Sequence, residues 1–139
     1  AGTAPGPAPG AESMAPGAVR IVLVEDYDDT RESLSALLES EGHSVFRAVD
    51  GVAGLELLRQ TPAVDLALLD IGLPGISGHE LVRQIRQEFG RTIRCVAMSG
   101  YGSPADVQRG LDAGFDEYLV KPVDIAELQQ VLARCRSRT

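Results

Sequence analysis

The stretch from Val64 to Gly78, VDLALLDIGLPGISG, constrains the fold more than any other part of the chain. Its Leu-rich apolar run predicts a strand buried on both faces, as the strands of parallel sheets are. The run ends on a single carboxylate, Asp70. Ile71, Gly72, Leu73, Pro74 and Gly75 cannot extend the strand, and helical periodicity resumes only after Ser77. Asp70 is therefore expected at the carboxyl end of a buried strand, the edge at which open α/β sheets bind ligands. The competing role, Asp70 as the cap of the next helix, is disfavoured because that helix starts too late.

The rest of the chain repeats the theme. Val19 to Val24 predicts a first strand running into Glu25-Asp26, and Asp29 to Glu32 has the spacing of a capping box for a helix carrying Leu34, Leu37 and Leu38. Ser44 to Val49 is a less apolar strand, expected at a sheet edge. Asp50-Gly51 opens a helix that ends before Pro62. After the Asp70 strand, His79 to Phe89 is a helix with Leu81, Val82, Ile85 and Phe89 together. Thr92 to Met98 is a fourth strand stopping at Ser99-Gly100, and Ser103-Pro104 starts a helix with Pro at its favoured first position. Glu117 to Val120 is a fifth strand that stops at Lys121-Pro122. Asp124 caps a last helix with Ile125, Leu128, Val131, Leu132 and Cys135 on its inner face. Five β-α units with long crossovers imply parallel strands and a three-layer, doubly wound α/β sheet.

Ahead of these units, Ala1 to Ala18 is almost wholly Ala, Gly and Pro, with Glu12 its only charge. It reads as a linker or tail (residues 1–18), leaving 19–137 as the folded domain. A chain of 139 residues is one domain's worth. The net charge of −7 argues against nucleic-acid binding through the domain surface and suits a site that gathers carboxylates around a divalent cation. No apolar run approaches a membrane span, so no membrane contact is expected of the domain. The two cysteines form neither a disulfide framework nor a metal spacing, which suits a reducing, cytoplasmic compartment.

Four of the five strands end on a hydrophilic group: Glu25-Asp26, Asp70, Ser99 and Lys121. Parallel strands bring their carboxyl ends to one edge, so these groups converge. Two unit charges 4 Å apart repel by about 4 kcal/mol at an effective dielectric near 20. Three carboxylates there need a cation or raised pKa values. Lys121 supplies one charge, and Mg²⁺ with its preference for oxygen ligands suits the remainder. A carboxylate beside a metal and a lysine can act as a nucleophile toward phosphorus. Ser99 can donate to a phosphoryl oxygen, and Gly100 leaves the backbone N–H unobstructed.

VLVEDYDDTRESL, LALLDIGLPGISG, VAMSGYG and GFDEYLVKPVD resemble, in order, the signature segments of the response-regulator receiver domain of two-component signalling. The resemblance spans Arg20 to about Arg136. It implies a flavodoxin-like (βα)5 fold with strand order 2-1-3-4-5, and a phosphoacceptor role for Asp70 toward a sensor histidine kinase or its phosphotransfer domain. It further implies Mg²⁺ (or Mn²⁺) held by Asp26 and Asp70, by Glu25 mainly through a bound water, and by the backbone carbonyl of Gly72. Ser99 and Lys121 would contact the phosphoryl group. Tyr118 would be the aromatic switch, turning in from solvent when Ser99 moves to the phosphate, for a downstream protein the sequence does not name. The wording of SGYG and GFDEYLVKPVD is most similar to receivers of hybrid histidine kinases, a stand-alone regulator being the alternative. The acid pair is Glu-Asp rather than Asp-Asp, Ser stands at 99 where Thr is commoner, and Gly72 and Tyr101 occupy positions that tune phosphate lifetime.

Three other readings fare worse. A phosphohydrolase of the haloacid-dehalogenase type needs a second Asp two residues after the first, where this chain has Gly72. An FMN binder would place a hydroxyl-rich loop where Glu25, Asp26, Asp28 and Asp29 would repel phosphate. A degenerate docking module would have lost site residues that are all present.

Overall fold

The computed structural model describes residues 17–136. The expected tail therefore lies outside the described residues, apart from Gly17 and Ala18. The elements alternate as β1 (Arg20–Val24), α1 (Asp28–Ser40), β2 (Ser44–Ala48), α2 (Gly51–Gln60), β3 (Leu66–Asp70), α3 (Gly78–Phe89), β4 (Arg94–Ser99), α4 (Pro104–Ala113), β5 (Glu117–Val120) and α5 (Ile125–Arg136). All strand pairs are parallel, and the sheet order is β2-β1-β3-β4-β5.

The order follows from which strands are apolar throughout. β1 and β3 are buried at every position and sit inside the sheet, whereas β2 and β5, with mixed burial, form its edges. Successive side chains alternate between two cores. Val22, Val24, Ala67, Leu69, Cys95 and Ala97 face α2 and α3. Ile21, Leu23, Leu66, Leu68, Val96 and Met98 face α1 and α5. Removing one large residue from either, such as Leu68, costs about 3 kcal/mol.

The helix starts are specified locally. Asp50 accepts from Ala53 N–H and Ser77 from Glu80 N–H, while Ser103 and Asp106 form a reciprocal capping box ahead of α4. Asp124 accepts from Ala126 N–H at 2.7 Å, as its expected cap role requires.

Two expectations fail. The capping box at Asp29–Glu32 does not form. α1 begins two residues earlier, behind Tyr27, with no side-chain cap, and Asp28 and Glu32 both turn to Arg31. Ile125 is not on the inner face of α5. As the first residue of the helix it overhangs the sheet and is 46% exposed, and Val123 packs against that core instead.

Candidate functional site

The carboxyl edge gathers the groups that end β1, β3, β4 and β5. Glu25 follows β1 directly, and its main-chain N–H donates to Ala48 O at 3.1 Å. No surface of Glu25 is exposed. Asp70 is the last residue of β3 and is 6% exposed. Its backbone is held from the next strand, since Ile71 N–H donates to Met98 O at 3.0 Å. Lys121 is tied to β4 by its N–H on Ser99 O at 2.7 Å.

Lys121 Nζ donates to Glu25 Oε1 at 2.9 Å and lies 3.4 Å from Asp70 Oδ2. One ammonium thus bridges two buried carboxylates. Asp26 is exposed at the mouth, and one carboxylate oxygen from each of Glu25, Asp26 and Asp70 lies within 4.8 Å of the others. Burial pushes the Glu25 pKa up, against the pull of Lys121 and of the Tyr27 N–H, and the charge of Asp70 adds to the rise. Burial alone would lower the Lys121 pKa, but its hydrogen bond to Glu25 and the charge of Asp70 outweigh that, and its net direction is upward. The two shifts have different origins, burial for Glu25 and the neighbouring carboxylates for Lys121. An all-oxygen donor set with surplus negative charge is what a hard divalent cation prefers. These three acids could hold such an ion.

The loop after Asp70 is shaped by close approach. Gly72 N–H donates to Asp70 Oδ1 at 3.1 Å. Gly78 opens α3 directly against the end of β3, where a Cβ would meet Asp70 O at 2.6 Å and Ile71 Cα at 2.6 Å. The Gly78 N–H donates to Ile71 O at 3.0 Å and closes the loop at its base. Sequence reasoning passed over Gly78, though a glycine at the first turn of a helix was the available signal.

Ser99 is 4% exposed and its Oγ accepts from Tyr101 N–H at 3.0 Å. Tyr118 is half-buried, and its hydroxyl donates to Tyr101 O at 2.7 Å. The hydroxyl end of Tyr118 lies at the surface, where this hydrogen bond is exposed. Gly110, in the middle of α4, leaves the room, since a Cβ there would meet the Tyr118 ring at 2.8 Å. Ser99 and Tyr118 thus share Tyr101, one through its N–H and the other through its C=O.

A doubly wound parallel sheet of this order defines the flavodoxin-like class of α/β domains, and this one carries an acid cluster and a lysine at its carboxyl edge. Within that class the chain belongs to the response regulator receiver domain family, whose model matches residues 21–133. Among curated relatives, the transcriptional regulatory protein CseB of Streptomyces coelicolor is 40% identical over 118 residues, covering 82% of this chain and 49% of the relative. The transcriptional regulatory protein DltR of Streptococcus agalactiae is 40% identical over 121 residues, covering 87% and 52%. The chain spans about half the length of these relatives. Among solved structures, a CheY-like receiver domain protein from Methanospirillum hungatei superposes with a TM-score of 0.77 at 28% identity, covering 88% of this chain and 99% of that one. The yeast Ssk1 receiver domain, at 24% identity and covering 86% of this chain and 90% of that one, has a TM-score of 0.80 and shares the fold. Among the described residues, no helix is long and apolar enough to cross a membrane.

Proposed function

We propose that the domain accepts a phosphoryl group on Asp70 from the phosphohistidine of a sensor kinase or phosphotransfer protein, and that it needs Mg²⁺ or Mn²⁺ to do so. The observation that carries this is the buried Asp70 carboxylate at a strand end, bridged through Lys121 to Glu25 and within reach of Asp26. A carboxylate oxygen of Asp70 attacks phosphorus in line. The new O–P bond forms as the P–N bond breaks, and its electron pair leaves with the donor imidazole. Lys121 is the mobile cation: shifting from Glu25 toward the phosphoryl oxygens, it offsets their charge. Ser99 donates its hydroxyl to one of them. Asp26, Asp70, the Gly72 carbonyl and, through water, Glu25 would hold the cation, which when bound would supply charge neutralisation for the transferred group.

Tyr118 is the output lever. Once Ser99 turns to the phosphate, its contact with the Tyr101 N–H is given up, and the loop that Tyr118 grips through Tyr101 O is free to shift. The Ssk1 receiver is known in complex with the histidine phosphotransfer protein Ypd1, which favours a donor of that kind. The relatives named as transcriptional regulators favour a longer parent protein that regulates transcription over the hybrid kinase suggested by the sequence segments. The net charge of −7 still speaks against nucleic-acid contact through this domain, and a cytoplasmic setting fits the chemistry of its donors.

The test is intact-mass spectrometry after incubation with acetyl phosphate and Mg²⁺. One added phosphate is expected, absent in Asp70→Asn and absent in EDTA. Labelling of Asp70→Asn equal to wild type overturns the assignment.

A further inference from the structure

Arg31 is an oddity that the site described above does not use. It sits in the first turn of α1, at the positive pole of the helix dipole, where a cation is disfavoured by about 0.3–1 kcal/mol. Its side chain is nevertheless drawn in to 11% exposure. A surface arginine with freedom to point outward would avoid both penalties, so the buried position has to be explained by what its head touches.

The guanidinium forks across the turn that carries Asp26. Nη1 donates to the main-chain carbonyl of Glu25 at 3.0 Å, and Nη2 donates to Asp28 Oδ1 at 2.5 Å. Nε faces Glu32 Oε2 at 3.5 Å. The Glu25 carbonyl lies just past the last β1–β3 pair, Val24 with Leu69, so the sheet ladder no longer holds it. Between the two points of the fork lie only Asp26 and Tyr27. Tyr27 in turn gives its N–H to Glu25 Oε2 at 3.1 Å. α1 has no side-chain cap of its own, so this fork does the work of fixing how the chain leaves β1 and enters the helix.

We infer that Arg31 is a positioning residue for the divalent cation: by clamping Glu25 O to Asp28, it sets where the Asp26 and Glu25 carboxylates sit relative to Asp70. This rests on the reading of the site as a cation site. The inference makes a prediction opposite in sign to simple electrostatics. A cation beside three carboxylates repels Mg²⁺, so deleting its charge alone would tighten binding. Losing the clamp loosens it, by about tenfold on the scale of other supports behind metal ligands.

The experiment is an NMR titration of the protein with Mg²⁺, reading the amide resonances of Asp26, Tyr27 and Gly72 in wild type, Arg31→Met and Arg31→Lys. Met keeps the apolar stem and removes every donor. Lys keeps the charge and can reach one partner but not fork. Expected is about tenfold weaker affinity in Arg31→Met, partial recovery in Arg31→Lys, and a Tyr27 amide already displaced in metal-free Arg31→Met. Affinity equal to or tighter than wild type in Arg31→Met overturns the inference. Should Arg31→Met fail to fold, Arg31→Lys decides: a few-fold loss supports the clamp, and wild-type or tighter affinity overturns it. A wild type that shows no saturable shifts with Mg²⁺ overturns the cation site itself, and the inference with it.

Discussion

The two ends of the sheet handle buried charge in opposite ways. At the amino end, Arg86 of α3 is a hub whose side chain is 12% exposed. Its Nε donates to Gly114 O at 2.9 Å, its Nη1 to Ile93 O at 2.8 Å and Gly90 O at 3.1 Å, and its Nη2 to Asp116 Oδ2 at 2.7 Å. Asp116 also accepts from Cys95 N–H at 2.9 Å and pairs with Arg91 at 3.3 Å. Both charges of the Arg86–Asp116 pair are matched, by partners that also tie the α3–β4 loop to the α4–β5 loop. At the carboxyl end, three carboxylates face one lysine, and one of them has no exposed surface at all. Acids of the same chemical kind are fully paired in one place and crowd around a single cation in the other, and what separates them is how completely their charge is matched.

Breaking the matched end should have the largest effect. Arg86→Ala takes one donor each from an acid and three carbonyls and should cost about 3 kcal/mol in urea unfolding. Folded molecules of that variant should still accept phosphate at Asp70. Loss of labelling in proportion to the folded fraction, and no further, would sharpen the separation of the two ends; complete loss would break it.

Filling the mismatched end comes next. At a hundredfold excess over its Kd, Mg²⁺ should raise the stability of the wild type by about 2.7 kcal/mol. The gain should vanish in EDTA and in Asp26→Asn.

The smallest effect is the most telling. Removing an acid should destabilise one end and stabilise the other. Asp116→Asn should lose about 2 kcal/mol, because two guanidiniums and an N–H lose their common acceptor. Glu25→Gln, in EDTA at pH 7, should gain on the order of 1 kcal/mol, as substitutions that relieve a functional site do. Because the Glu25 pKa is raised by folding, its contribution is fully present below the ordinary Glu value and is lost as pH rises through the folded one. The advantage of Glu25→Gln should therefore be absent near pH 4 and grow toward neutrality. A flat difference across that range would show that charge is not its origin.

The strands and the convergence of Glu25, Asp26, Asp70, Ser99 and Lys121 were legible because apolar runs end abruptly on polar residues, and parallel topology does the rest. The Arg86 hub was not. On an amphipathic helix an arginine reads as solvated, and its partners are carbonyls, which carry no side-chain signal. Arg31 escaped for the same reason, and its partner Glu32 reads in the sequence as the far end of a capping box begun by Asp29. The grip of Tyr118 on Tyr101 O was hidden as well, since only the missing Cβ of Gly110 makes room for it.

The Gly78 contact makes the site modular. The loop from Ile71 to Gly78 is closed at its base by the Gly78 N–H on Ile71 O, with Gly78 packed directly against Asp70 O. Leu73 is buried and anchors the near side, while Pro74 and Gly75 face solvent. Residues grafted at Gly75 would lengthen the tip without levering on Asp70, as insertions at exposed loop tips do. New surface elements can therefore be added a few residues from Asp70 without rebuilding the strand end that holds it.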